Sequence, residues 1–103
     1  MASSKEYLKF VLDKLSCLSD ISYRPMMGEY IIYYKGKVIG GIYDDRFLVK
    51  PTKSAEALMP DAQSEIPYEG AKAMLLLEET DNPDFIIELF DKMYGELPAK
   101  KQG

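Results

Sequence analysis

Glu29-Tyr30-Ile31-Ile32-Tyr33-Tyr34-Lys35-Gly36-Lys37-Val38-Ile39-Gly40-Gly41-Ile42-Tyr43-Asp44-Asp45-Arg46-Phe47-Leu48-Val49-Lys50 decides how this chain folds. Its three runs are rich in Ile, Val, Tyr and Phe, which suit a pleated, half-buried surface. Lys35-Gly36 and Asp44-Asp45 separate them as two-residue loops, a hairpin signal. The segment therefore predicts an antiparallel meander. With both loops two residues long, Tyr33 faces Val38, Ile31 faces Gly40, Glu29 faces Ile42, Ile42 faces Phe47 and Gly40 faces Val49. Alternate residues share a face, so Ile31, Tyr33, Val38, Ile42, Phe47 and Val49 are expected in the core.

The second face would carry Tyr30, Ile32, Tyr34, Lys37, Ile39, Gly41, Tyr43, Arg46, Leu48 and Lys50. It is too apolar in its middle for a plain solvent face. Two readings follow. Either Tyr30, Ile32, Tyr34, Ile39, Tyr43 and Leu48 form a contact surface, including one for a homodimer, or another segment of the chain covers them. Gly40-Gly41 in mid-strand predicts a bulge or a close neighbour.

Upstream, Ile21–Arg24 starts the sheet. Pro25 donates no ladder hydrogen bond, which predicts an edge strand or a break. Met26-Met27-Gly28 leads into the next strand, with Gly28 taking a backbone angle other residues avoid. Before that, Tyr7, Phe10, Val11, Leu15 and Leu18 recur at helical spacing, predicting a helix from Ser3 to Leu18 with Ser3 and Glu6 as a capping box. Downstream, a short helix is expected from Pro51 to Met59, capped by Thr52 or Ser54. Asp61 to Gly70 reads as a loop and Ala73 to Glu78 as a buried strand. Asp81 or Asn82 caps a last helix with Pro83 in its first turn and Phe85, Ile86, Leu89, Phe90, Met93 and Leu97 as its stripe. The expected fold is α+β: N-terminal helix, β-meander, short helix, strand, C-terminal helix, as one domain over 1–98 with a disordered tail over 99–103.

The chain has 103 residues and a net charge of −4, the size of one domain. Residues 1–53 carry nine Lys/Arg and six Asp/Glu, a net of +3; residues 54–103 carry four and eleven, a net of −7. No apolar run approaches the ~20 residues of a membrane span, so no membrane partner is expected. Cys17 is the one cysteine, which suits a reducing cytoplasm.

The sequence contains no histidine. That removes the commonest general base, the Ser-His-Asp triad and histidine-based zinc sites. Cys17, near a helix C-terminus, reads as a half-buried packing residue. Glu78, Glu79, Asp81 and Asp84 read either as a hard-cation site or as a charged helix start. Lys50 and Lys53 at the start of the short helix offer anion-binding geometry. Arg24, Lys35, Lys37, Arg46, Lys50 and Lys53, interleaved with Tyr23, Tyr34 and Tyr43, form a candidate anion or nucleic-acid patch, set against ordinary amphipathic sheet chemistry. No cofactor motif is present, and no enzymatic activity is expected.

At Tyr23-Arg24-Pro25-Met26-Met27-Gly28-Glu29-Tyr30 the chain resembles the TfoX/Sxy family N-terminal domain. That family carries an arginine before a Met-Phe-Gly-Gly segment, a hairpin, and a strand ending in a Leu-Tyr-Leu-Lys-like run. Arg24, Met26-Met27-Gly28, Lys35-Gly36-Lys37 and Phe47-Leu48-Val49-Lys50 stand in those places. Pro67-Tyr68-Glu69-Gly70 with Met74-Leu75-Leu76 resembles the second half. Glu29 departs from the family's second glycine. The resemblance implies a stand-alone, single-domain member without the C-terminal domain of full-length regulators. It also implies a two-layer fold with helices mainly on one side of an antiparallel sheet, similar to secretion-chaperone-like domains. Met26, Met27, Gly28, Gly40 and Gly41 are its structural motif residues. The implied function is competence or transcription regulation through a protein partner, such as a transcription activator or polymerase component. A nucleic-acid-binding module using the basic hairpin face, and a small-ligand binder or enzyme of unknown type, are the alternatives.

Overall fold

The computed structural model describes residues 3–98; the tail expected over 99–103 lies outside the described residues. The elements run α1 (Lys5–Lys14), β1 (Ile21–Met26), β2 (Glu29–Tyr34), β3 (Lys37–Ile42), β4 (Phe47–Val49), α2 (Lys53–Leu58), β5 (Ser64–Glu65), β6 (Met74–Leu76) and α3 (Pro83–Tyr94). One six-stranded sheet has the order β1-β2-β3-β4-β6-β5, antiparallel throughout. The α+β fold is the expected one, with an added short strand, β5, inside the segment read as a loop.

Three two-residue turns build the meander, one more than the sequence reading allowed. Met27-Gly28, Lys35-Gly36 and Asp44-Asp45 each hold positive φ at both residues: 53 and 85°, 50 and 84°, 53 and 56°. That double left-handed geometry matches the right-handed twist of hairpin strands.

The register holds at both ends of the meander and slips in its middle. Tyr33 pairs with Val38, and Ile42 with Phe47, as expected. Between them Ile32 pairs with Gly40, Ile31 with Gly41 and Tyr30 with Ile42. Ile39 is the extra residue of a β-bulge, so β3 changes phase there. Gly40 makes the bulge feasible. A Cβ on it would lie 2.1 Å from the Leu48 carbonyl oxygen and 2.9 Å from Val49 Cα.

The bulge corrects the assignment of faces. Ile42, Phe47 and Val49 are in the core as expected, but β2 is inverted. Ile32 and Ile39 have no exposed surface and Tyr34 is buried, all three in the core cluster, whereas Ile31, Tyr33 and Val38 are half-buried on the opposite face. Leu8, Val11 and Leu15 of α1 and its C-terminal turn close the core from one side. Ile86, Leu89, Phe90 and Met93 of α3 join them, with Ala55 of α2. Each fully buried Leu, Ile or Phe contributes roughly 1.5–3 kcal/mol. All three helices thus cover the same sheet face.

Helix ends follow side-chain capping. Ser4, not Ser3, caps α1, accepting from Tyr7 N–H at 3.1 Å. The helix ends at Lys14 rather than Leu18, although Leu15 and Leu18 still pack on the core. Thr52 caps α2 and Asn82 caps α3, with Pro83 opening it.

Candidate interaction surface

The β1–β2 hairpin forms an arm at the edge of the sheet. β1 lies at the sheet edge, as Pro25 predicts, and every β1 residue after Ile21 is exposed. Met27 at the tip is 97% exposed; Tyr23 and Met26 keep 46% and 44%. Tyr23 stacks edge-on against Tyr30, centroids 5.9 Å apart. The arm therefore displays a run of large apolar side chains to solvent.

Glu29, the first residue after the Met27-Gly28 turn, anchors the tip end of the hairpin. Its Oε1 accepts from Ser3 N–H at 3.0 Å and Ser3 Oγ–H at 2.6 Å, and the carboxylate also accepts from Asp44 N–H at 3.2 and 3.3 Å. Ser3 Oγ in turn accepts from Asp45 N–H at 3.0 Å, while Asp45 Oδ1 accepts from Ser4 N–H at 2.8 Å. One carboxylate thereby ties the start of α1 to the β3–β4 turn. Sequence reading missed this clamp, because nothing local in Ser3, Glu29 or Asp44 announces a contact across the fold.

The face expected to dock is not a free surface. Tyr30 is half-buried on the helical side, next to the core cluster that holds Ile32, Tyr34 and Ile39. Tyr43 and Leu48 do occupy the helix-free face, where Tyr43 is 8% and Leu48 0% exposed. There Tyr43 lies over Gly41, whose added Cβ would meet its ring at 2.6 Å. Tyr68 lies 6.0 Å from Tyr43, and Arg46 reaches Glu65 Oε1 at 2.6 Å. Of the two readings of that face, cover by another segment of the chain describes Tyr43.

The six basic residues do not all converge: Lys35, Lys37 and Lys53 lie near the C-terminal end of α3, and Arg46 stands apart from them. Arg46 is paired with Glu65 at the Asp44-Asp45 end of the meander. Lys35 and Lys37 sit at the other end, about 20 Å away at strand rise. Lys37 Nζ donates to the carbonyls of Tyr94 and Leu97 at 3.2 and 3.3 Å, capping α3, and lies 4.2 Å from the Tyr94 ring centroid. Lys35 lies over the Tyr34 ring at 5.1 Å. Arg24 and Lys53 are exposed. Lys50 is half-buried, and desolvation lowers its pKa. The anion geometry at the start of α2 is already filled from within. Glu96 accepts from Ser54 N–H at 2.9 Å and Ser54 Oγ–H at 2.5 Å, and these bonds hold its carboxyl below the ordinary range.

The remaining candidates also resolve into structural roles. Asp81 pairs with Lys14. Among the described residues no three His, Cys, Asp or Glu side chains gather as a metal-binding group. Cys17 is exposed rather than half-buried. Tyr34 donates to Asp91 Oδ1 at 2.5 Å; burial, then that carboxylate, pushes its phenol up to about 12.

Comparison with known proteins gives this fold a family. An uncharacterized 12.7 kDa protein in the trpE 5′ region of Spirochaeta aurantia is 35% identical over 103 residues, covering 98% of this chain and 89% of that one. No solved structure matches significantly. The family model of the TfoX N-terminal domain matches residues 13–87, from the end of α1 into α3 and through every strand, and the chain belongs to that family.

Proposed function

We propose that this chain is a non-enzymatic, cytoplasmic interaction module that influences transcription, including competence genes, by contacting a protein partner such as a transcription activator or polymerase component. The exposed β1–β2 arm carries this reading: Met27, Met26 and Tyr23 offer apolar contact area on an edge hairpin whose turn end is anchored by Glu29. Methionine is an adaptable contact residue, and exposed aromatic and methionine side chains are typical of interface centres. The absence of histidine from the sequence fits a role without acid–base chemistry.

Affinity capture from native lysate, comparing the wild-type chain with Met27→Asp, tests this reading. A transcription-related protein retained by the wild type and lost from the variant is the expected result. An identical retained set overturns it. The nucleic-acid alternative has less support, because Arg46 is paired with Glu65 and Lys37 is engaged by the carbonyls at the end of α3. A DNA shift assay near ~50 mM salt should show no complex; binding with a steep salt slope would reinstate it.

A further inference from the structure

The free edge of β1 has a polarity that the hydrogen bonds determine. Lys35 N–H donates to the Asp20 carbonyl at 2.9 Å, so Asp20 faces β2. Alternation then turns Ser22, Arg24 and Met26 toward β2, and Ile21, Tyr23 and Pro25 outward. Ile21 and Tyr23 each present one N–H and one C=O on the open edge; Pro25 presents only its carbonyl. Pro25 therefore costs the sheet no bond and closes the edge to pairing at the hairpin end. Strand addition is confined to Ile21–Tyr23.

Beside that short free segment lies an open groove between α1 and β1, where Leu12, Leu15, Leu18, Ile21 and Tyr23 give an apolar floor and Ser16, Asp20 and Ser22 a polar margin. Side chains of an added strand opposite Ile21 and Tyr23 would point into it; the intervening ones would lie on the other face beside Ser22 and Arg24. The surroundings are basic. Lys5 and Lys9 precede Leu12 on one stripe of α1 by seven and three residues, and both are exposed. Arg24 and Lys35 are exposed as well, and none of the four makes an ion pair among the described residues. Asp20 is the carboxylate that lines the groove, and it sits at the Lys35 end. Acidic groups at the intervening positions are thus favoured beside Arg24, on the face away from α1.

We propose that β1 and this groove bind an extended partner segment by strand addition, the segment alternating apolar with acidic residues. The proposal rests on the protein-contact reading above and names the chemistry that reading leaves open. Backbone bonds to Ile21 and Tyr23 supply the pairing, and the groove and Arg24 select the sequence.

The probe is an eight-residue peptide alternating isoleucine with aspartate or glutamate, titrated into the full chain and followed by amide NMR and hydrogen exchange. The Ile21 and Tyr23 amides should shift and become protected. A peptide N-methylated at the amides that face β1, a lysine-for-acid peptide, and the Tyr23→Pro chain should each bind at least about tenfold more weakly, about 1.4 kcal/mol. Tyr23→Pro removes no bond to β2, and circular dichroism checks its fold; the N-methylated peptide needs no variant. Unprotected Ile21 and Tyr23 amides at millimolar peptide, or equal binding of the N-methylated peptide, overturn the proposal. So does concentration-dependent protection of β1 without peptide, which would mark pairing with a second copy. Failure of the peptide together with partner loss on Met27→Asp removes strand addition alone. Unchanged capture on Met27→Asp removes the arm reading instead.

Discussion

The β3–β4 and β1–β2 hairpins share one turn geometry and have opposite fates. Both are joined by two residues with positive φ. In β3–β4 the flanking strands are buried: Ile42, Phe47, Leu48 and Val49 have at most 1% exposure. The Asp44-Asp45 turn is held by Glu29, Ser3 and Ser4. In β1–β2 the edge strand is exposed and the tip carries Met27 into solvent. The first hairpin's sequence is constrained by close approach, and the second's is free to serve recognition. Substitutions should separate the two roles.

The largest effect is expected at Ile39. With no exposed surface in the core, Ile39→Lys should cost ~3–5 kcal/mol, the scale of an uncompensated buried charge. Tyr33→Lys, on the helix-free face, should cost far less. Chemical denaturation of both chains checks this, and equal losses would mean the bulge phase is wrong. Gly40→Ala comes next. Its Cβ would lie 2.1 Å from the Leu48 carbonyl oxygen, so β3 and β4 must separate, at about 3 kcal/mol. The same denaturation measurement should show Ser22→Ala on exposed β1 near zero.

That bulge marks the limit of what the sequence discloses. Ile31-Ile32 and Tyr33-Tyr34 are doublets, so both phases of β2 are equally apolar and alternation cannot choose between them. Only the pairing across Gly40 decides, and a bulge alters that pairing without changing composition. Where one face alone is apolar, as in Phe85–Leu97, the stripe is legible residue by residue, and its cap to within the pair Asp81-Asn82, of which Asn82 takes the role. Turn chemistry disclosed Lys35-Gly36 but not Met27-Gly28, because methionine is not a turn former; the exposed tip was missed with it. The engagement of the basic residues was hidden for a different reason. Lys37, Arg46 and the start of α2 find partners 19 to 60 residues away in the chain.

Glu29 sharpens the comparison further, because it stands at the boundary between the hairpins. Glu29→Ala would leave the Asp44 N–H and the Ser3 hydroxyl without this acceptor, with Ser3 N–H keeping the Gly28 carbonyl at 3.0 Å, and would loosen the start of α1. The expected cost is ~1–3 kcal/mol, that of charge-assisted bonds at a half-buried site. Hydrogen exchange should report the loss first at Asp44 and Asp45, with the centre of β3 retained. Uniform loss across the sheet would mean that Glu29 supports the fold as a whole rather than a junction.

The smallest effect has the opposite sign. Met27 holds φ +53° and is 97% exposed, so neither turn propensity nor core burial accounts for methionine there. Left-handed backbone at a residue other than Gly or Asn costs on the order of 1 kcal/mol. Met27→Asn would create Asn-Gly, the preferred pair for this turn, and should stabilise the domain by about 0.5 kcal/mol, a few degrees in Tm. The same substitution deletes the most exposed apolar side chain of the arm, so partner capture should fall while stability rises. Movement in opposite directions would identify methionine as kept for contact at the expense of turn geometry. If stability rises and capture is unchanged, the arm is ordinary surface and the recognition role assigned to it fails.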